Sequence, residues 1–230
     1  MGDGSGPSIP PEATDVFGGA LDQACRYAEL LATDGVMRGL IGPRERERLW
    51  DRHLLNCAVV SELLPERGLL VDIGSGAGLP GIVLAMLRPS LQVILLEPLL
   101  RRSVFLEECV AELRLSNVTV VRARAEEKAT AHIEADFATA RAVAPLDRLV
   151  GWAAQLLHPG GELLAIKGQS AEEELVAARP VLSRLGVRSA EVLQAGHGRV
   201  VTATTVVRVV MGGHGREERA GAQRSRRGVA

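Results

Sequence analysis

The stretch Val71-Asp72-Ile73-Gly74-Ser75-Gly76-Ala77-Gly78-Leu79-Pro80-Gly81 concentrates more potential chemistry than any other part of the chain. It lies between two apolar runs, Leu69 to Ile73 and Ile82 to Leu87, so the pattern predicts a turn from a strand into a helix. Gly74, Gly76 and Gly78 clear one face of that turn of side chains, which lets backbone lie directly against a ligand and permits positive φ. Open α/β sheets bind ligands at the carboxyl ends of their strands, where this turn would sit. Two ligand chemistries compete. Gly76 to Gly81 spells G-x-G-x-x-G, and Glu97 stands 21 residues after Gly76, which is the spacing of a dinucleotide site with an acid on the ribose. Asp72 favours another ligand, because a carboxylate beside the turn opposes a pyrophosphate and attracts positive charge. S-adenosylmethionine, a sulfonium that also bears an ammonium group, suits Asp72 near its amino-acid end and Glu97 near its ribose hydroxyls. NAD(P) remains the rival.

Further candidates lie at predicted strand ends and on a basic helix. Arg141 follows D-F-A-T-A and Lys167 follows E-L-L-A-I, so both would border the same crevice, on a substrate or in a surface ion pair. Arg44, Arg48 and Arg52 alternate with Glu45, Glu47 and Asp51, the pattern of a salt-bridged helix surface or of a phosphate-contacting rim. Arg101, Arg102 and Arg199 carry the same two readings. His53 falls on the apolar stripe of its helix and reads first as a core or boundary histidine, with an RNA contact as the second reading. Trp50 and Trp152 read as core. No metal site is expected, since Cys25, Cys57 and Cys109 lie far apart with no ligand partner at metal-binding spacing.

The elements that must hold these residues follow from periodicity. Between about Ala13 and Leu64, apolar residues recur at helical spacing and predict two helices joined near Gly35 to Gly42. From Leu69 onward short apolar runs alternate with helical stretches. Strands are expected at L-L-V-D-I, Q-V-I-L-L, V-T-V-V-R, D-F-A-T-A, E-L-L-A-I and T-T-V-V-R-V-V, with helices near Gly81 to Leu87, Leu99 to Leu113, Leu146 to Leu157 and Ala171 to Leu185. That alternation predicts a doubly wound α/β sheet. The expected organisation is a Gly- and Pro-rich lead-in over 1–12, a helical cap over 13–66, an α/β domain over 67–211, and a basic tail over 212–230, with 13–211 forming one unit.

Composition narrows the function. The 230 residues carry 27 Lys plus Arg against 28 Asp plus Glu, for a net charge of −1, which argues against binding nucleic acid through an overall field but leaves local patches possible. Aromatic residues make up 3% of the chain, too few for a module that stacks several bases. The start lacks the charged and apolar regions of a secretory signal, and the longest uncharged stretch, Ile73 to Leu87, is shorter than a membrane span. A soluble, cytoplasmic protein with reduced thiols is expected.

Taken together, D-I-G-S-G-A-G-L-P-G, L-L-E-P-L-L-R-R-S-V-F-L (Leu95 to Leu106), R-A-E (Arg124 to Glu126), A-R-A-V (Ala140 to Val143), G-G-E-L-L-A-I-K-G (Gly160 to Gly168) and the upstream L-W-D-R-H-L-L-N-C (Leu49 to Cys57) resemble the glucose-inhibited division protein B family, also called RsmG. That resemblance implies a Rossmann-like class I methyltransferase with a mostly parallel seven-stranded sheet, helices on both faces and an N-terminal helical extension. It implies S-adenosylmethionine as cofactor and methylation of N7 of a guanosine in the 530 loop of 16S ribosomal RNA, in the small subunit or an assembly intermediate. A monomer is expected. By the family pattern, Gly74, Leu79, Glu97, Ala125, Glu126 and Arg141 are cofactor positions, with Ala125 and Glu126 beside the adenine. Asn56 stands where the family commonly has an acid. N7 carries an in-plane lone pair and needs no general base, so Arg141 and Lys167 are expected to position substrate. Two other functions stay open: an NAD(P)-binding oxidoreductase, and an assembly factor that keeps the fold without catalysis.

Overall fold

The computed structural model describes residues 8–213. Expectations about the first seven residues and the Arg-rich stretch from His214 onward lie outside the described residues. The chain opens with helix α1 (Pro11–Phe17), which places Pro11 at its first position, where a missing N–H costs nothing. The helix therefore begins slightly inside the expected lead-in. Helix α2 (Leu21–Leu30) runs on through a π-type turn, Leu31–Gly35. After Gly42 the chain forms a 3-10 turn (Pro43–Arg48), a π-type segment (Leu49–Leu55), α3 (Asn56–Ala58) and a further 3-10 turn (Val59–Leu63). The expected second helix is thus a chain of differently wound turns rather than a regular α-helix.

Seven strands follow: β1 (Gly68–Ile73), β2 (Leu91–Leu96), β3 (Val118–Val121), β4 (Ala135–Arg141), β5 (Leu157–Ile166), β6 (Ser189–Ala195) and β7 (Thr204–Val210). Their order across the sheet is β3-β2-β1-β4-β5-β7-β6. The first five are parallel, and β7 runs antiparallel to both neighbours. The connecting helices are α4 (Gly81–Leu87), α5 (Leu100–Glu112), α6 (Leu146–Leu156) and α7 (Ala171–Arg184). This is a Rossmann-like, mostly parallel sheet whose order reverses between β1 and β4, which opens a crevice at their carboxyl ends.

Two apolar layers flank the sheet. One gathers Ala13, Phe17, Tyr27, Leu31, Trp50, Leu54 and Cys57 with Leu70, Ile82, Leu95 and Phe105. The N-terminal helices therefore complete one face of the sheet and do not stand apart from it. The large aliphatic and phenylalanine side chains among them each contribute on the order of 1.5–3 kcal/mol by leaving water. The other layer joins Val71, Ile73 and Leu96 to α6 and α7 through Leu149, Val150, Ala153 and Ala178. Because alternate strand residues face opposite sides, Asp72 points toward the layer that holds the N-terminal helices and α4.

Candidate active site

The glycine turn folds as its composition requires. Gly74, Gly76 and Gly78 adopt φ of 68°, 59° and 97°, values that a side chain disfavours. Space excludes side chains as well. A Cβ on Gly74 would lie 2.9 Å from Val143, and one on Gly78 would run into Ile82 and stand 2.7 Å from the Tyr27 hydroxyl. That hydroxyl, fully buried on α2, donates a 2.6 Å hydrogen bond to the Ala77 carbonyl. The N-terminal helices thus brace the turn. Tyr27 is the only tyrosine in the chain, and its role shows only once the fold brings it 50 residues along the sequence to Ala77. Tyr27→Phe leaves that carbonyl without its partner. A loss of about 1–3 kcal/mol in a urea unfolding curve is expected, together with weaker ligand binding at the turn in a titration.

The two acids near the turn do different work. Glu97, almost wholly buried, accepts the Gly76 N–H at Oε2 and the Leu99 N–H at Oε1, each at 3.0 Å. It thereby shapes the turn and faces the cleft. Asp72 does not reach the cleft wall. It is fully buried behind the turn, with Oδ2 accepting the Gly81 N–H at 3.1 Å and its own carbonyl accepting the Ser75 hydroxyl at 3.0 Å. Its Oδ1 has no hydrogen-bond partner among the described residues. Asp72 is therefore a brace under the loop, in place of the direct ligand contact expected from its spacing.

Burial holds the Asp72 carboxyl up at about 7, against an ordinary 3.8. Between these values the folded chain retains a proton that the unfolded chain releases, so this group's contribution to stability falls as pH rises, by up to about 1.4 kcal/mol per pH unit. Asp72→Asn removes that slope. The melting temperature of the variant minus that of the native protein is expected to increase steadily from about pH 4 to pH 7.

Three adjoining hollows line the carboxyl edge of the sheet. The middle one, about 490 Å³, is walled by Gly74 to Ala77, Leu79, Glu97, Leu99, His53 and Arg141. A narrower apolar notch of about 140 Å³ opens beside it between Ile73, Leu96, Ala123, Ala125, Glu126, Val143 and Trp152. Ala125 and Glu126 line this notch, and so does Trp152, which sequence alone assigned to the core. The third, about 650 Å³, lies across the Arg141–Val143 segment and is lined by Asn56, Pro145, Lys167, Gly168 and Glu174. Ala142, at φ 55°, gives this dividing segment a left-handed kink that an alanine rarely adopts. Asn56 donates to the Thr204 hydroxyl at 2.8 Å, which ties α3 to the start of β7.

Arg141 is folded back onto the N-terminal helices. Its Nη1 donates to the Arg52 carbonyl at 3.1 Å and its Nη2 to His53 Nδ1 at 2.8 Å. Because Nδ1 accepts, the imidazole is neutral and its Nε2–H donates to Glu45 at 2.9 Å. Burial, followed by the Arg141 charge, lowers the His53 pKa and keeps the ring neutral. His53 lines the cleft part-buried, with both ring nitrogens engaged by protein groups. Lys167 is likewise engaged, donating to the Ala144 carbonyl at 2.9 Å and to Glu174 at 2.7 Å.

The basic candidates separate by partner. Arg52 pairs with Glu45 at 3.1 Å, Arg102 approaches Glu97 at 3.8 Å, and Arg199 approaches Glu62 at 3.8 Å. Arg44, Arg48 and Arg101 are exposed and have no ion pair among the described residues. Arg44 and Arg48 sit on the turn that follows Gly42, itself part of the middle wall. Among the described residues no helix is long and apolar enough to cross a membrane.

Solved structures share this fold. A SAM-dependent O-methyltransferase from Thermotoga maritima aligns at TM-score 0.56 and 14% identity, over 73% of this chain and 70% of that one. A SAM-dependent methyltransferase from Aquifex aeolicus aligns at TM-score 0.55 and 18% identity, over 74% of this chain and 99% of that one. Sequence relatives are far closer. Ribosomal RNA small subunit methyltransferase G of Thermobifida fusca (strain YX) is 60% identical over 204 residues, which cover 88% of this chain and 86% of the relative. The protein of the same name from Streptomyces coelicolor is 58% identical over 206 residues, covering 90% and 86%. A family model described as rRNA small subunit methyltransferase G matches residues 20–202. Matched over most of its length by both model and relatives, the chain belongs to the GidB family.

Proposed function

We propose that this protein transfers a methyl group from S-adenosylmethionine to N7 of a guanosine in the 530 loop of 16S ribosomal RNA. The observation that carries the reading is a bare glycine turn that lines the middle hollow and the apolar notch, with a third hollow across the Arg141–Val143 segment, in a chain 60% identical to a protein named ribosomal RNA small subunit methyltransferase G. The residues fit the cofactor. The apolar notch with Trp152, Ala125 and Val143 suits a flat adenine, the buried Glu97 suits ribose hydroxyls, and the backbone of Gly74 to Ala77 suits close approach of the chain that carries sulfur. When bound, S-adenosylmethionine supplies an electrophilic methyl carbon on a positively charged sulfur.

The protein's own task is placement. The guanine N7 lone pair is free at neutral pH, so no side chain has to remove a proton before attack. Arg141, on the boundary between the middle and third hollows, orients the base or a flanking phosphate, and the walls exclude water. Positioning of this kind supplies at most about 7–11 kcal/mol of the barrier reduction. Reading a base edge in the third hollow requires an unstacked guanosine. Arg44, Arg48 and Arg101 supply unpaired charge near the mouth for the RNA backbone.

The NAD(P) reading is disfavoured by the start of α4. Its first N–H is already taken by the buried Asp72 carboxyl, so that donor is not free for a pyrophosphate. Labelled-methyl transfer to small subunits and to free 16S rRNA, both from cells lacking the gene, tests the proposal. Label at one guanosine that becomes sensitive to N7-methylguanosine cleavage supports it. Cofactor binding without transfer to either RNA would leave a non-catalytic assembly factor.

A further inference from the structure

The third hollow holds an ion pair that methyl-donor binding does not explain. Lys167 spends one N–H on the Ala144 carbonyl and another on Glu174 Oε2, so one of its three donors has no partner among the described residues. Glu174 Oε2 also accepts the Leu146 N–H at 3.0 Å, whereas its Oε1 has only a 3.4 Å contact from the exposed Ser170 hydroxyl. Both side chains are mostly covered and line the hollow with the Arg141–Pro145 segment. Burial works to raise the Glu174 pKa, but the Lys167 ammonium overrides it and keeps the group a carboxylate. A phosphate entering here would face that carboxylate. The pair is better matched to a neutral heterocycle that presents an acceptor beside donors.

We propose that Lys167 and Glu174 read the substrate base, with the Lys167 ammonium donating to guanine O6 and Glu174 Oε1 accepting from N1–H and the 2-amino group. This inference rests on the guanosine reading of the preceding subsection. The strand register supports the order of contacts. Lys167 follows Ile166, which pairs with Arg141 across β4 and β5, and Arg141 borders the cofactor hollow. Glu174 stands on α7. With N7 toward the methyl donor, O6 comes next around the ring and N1 and N2 follow. Adenine in the same pose would set an amino group against the ammonium and a lone pair against the carboxylate, two mismatches of buried polar groups.

Inosine retains N7 and O6 and lacks only the 2-amino group, so it isolates the contact to Glu174. The test compares methyl transfer to small subunits reconstituted with 16S rRNA carrying either guanosine or inosine at the methylated position. For the native protein, kcat/KM is expected to favour guanosine by about 10- to 100-fold, the size of a lost hydrogen bond to a charged group. In Glu174→Ala that preference falls to within about threefold. Glu174→Gln, which still offers an oxygen to the Leu146 N–H, gives an intermediate preference and decides the matter should the alanine variant fail to fold. S-adenosylmethionine affinity stays within about threefold of native in both. Equal use of guanosine and inosine by the native protein overturns the proposal, as does an unchanged preference in variants that are merely slower. Absence of transfer even to guanosine subunits would overturn the reading on which it rests.

Discussion

Gly74→Val is expected to abolish S-adenosylmethionine binding, with Kd raised at least about 100-fold, while the chain still folds. At φ 68° a β-branched residue is strained, and its Cβ would meet Val143 at 2.9 Å, a residue that lines the notch and both larger hollows. Strain of this kind costs about 1–3 kcal/mol, which for a chain of this size lowers the melting temperature by roughly 2–12 °C. The sheet beneath is untouched, so circular dichroism should remain native. Calorimetric titration of the variant beside the native protein checks the first expectation, and a thermal melt checks the second.

The second large effect is expected at Arg141. Arg141→Ala should lower kcat for methyl transfer to small subunits by about 100-fold or more, because a misplacement of about 1 Å in the reacting groups costs that much. Loss of cofactor affinity should be far smaller, since the notch and the glycine turn are unaltered. The variant also strips the Arg52 carbonyl and His53 Nδ1 of their donors, so a stability loss of about 1–3 kcal/mol is expected. Single-turnover kinetics at saturating cofactor separates transfer from binding. A variant that binds more weakly yet transfers at the native rate would place Arg141 in the cofactor site alone.

What the sequence disclosed divides along the range of the forces involved. Strands β1, β2, β4, β5 and β7 lie inside the sheet and are written largely as apolar runs, because strands covered on both faces need apolar residues, and the edge strand β3 was legible from its run of valines. Ser189–Ala195 went unread. It lies at the sheet edge, where Glu191 and Gln194 are exposed and no apolar run is required. The glycine turn was legible because positive φ and close packing leave few alternatives to glycine. Asp72 was misplaced for the converse reason: proximity in sequence brought it to the turn, but strand alternation directed its side chain beneath the loop. Contacts made over long separations left no local trace. Tyr27 on Ala77, Arg141 on His53, and Trp152 beside the notch each require the N-terminal helices or α6 to be docked before the partner is evident.

The N-terminal helices consequently do more than cover the sheet. They hold the glycine turn through Tyr27 and Arg141 through His53, so two walls of the middle hollow share one support. The Glu45–His53–Arg141 chain joins the exposed basic turn, which carries Arg44 and Arg48, to the boundary between the two larger hollows. A backbone phosphate engaging that turn would act close to Arg141, the group proposed to orient the base.

On the proposed reading, the bare turn after β1 cradles a sulfonium methyl donor. Isothermal titration of the purified native chain with S-adenosylmethionine and with S-adenosylhomocysteine, at two temperatures so that a vanishing enthalpy at one cannot hide binding, tests it most directly. The expected result is one saturable site for each compound and none for NADH or NADPH. Saturable binding of a nicotinamide dinucleotide, with no heat from either adenosyl compound at either temperature, would contradict it.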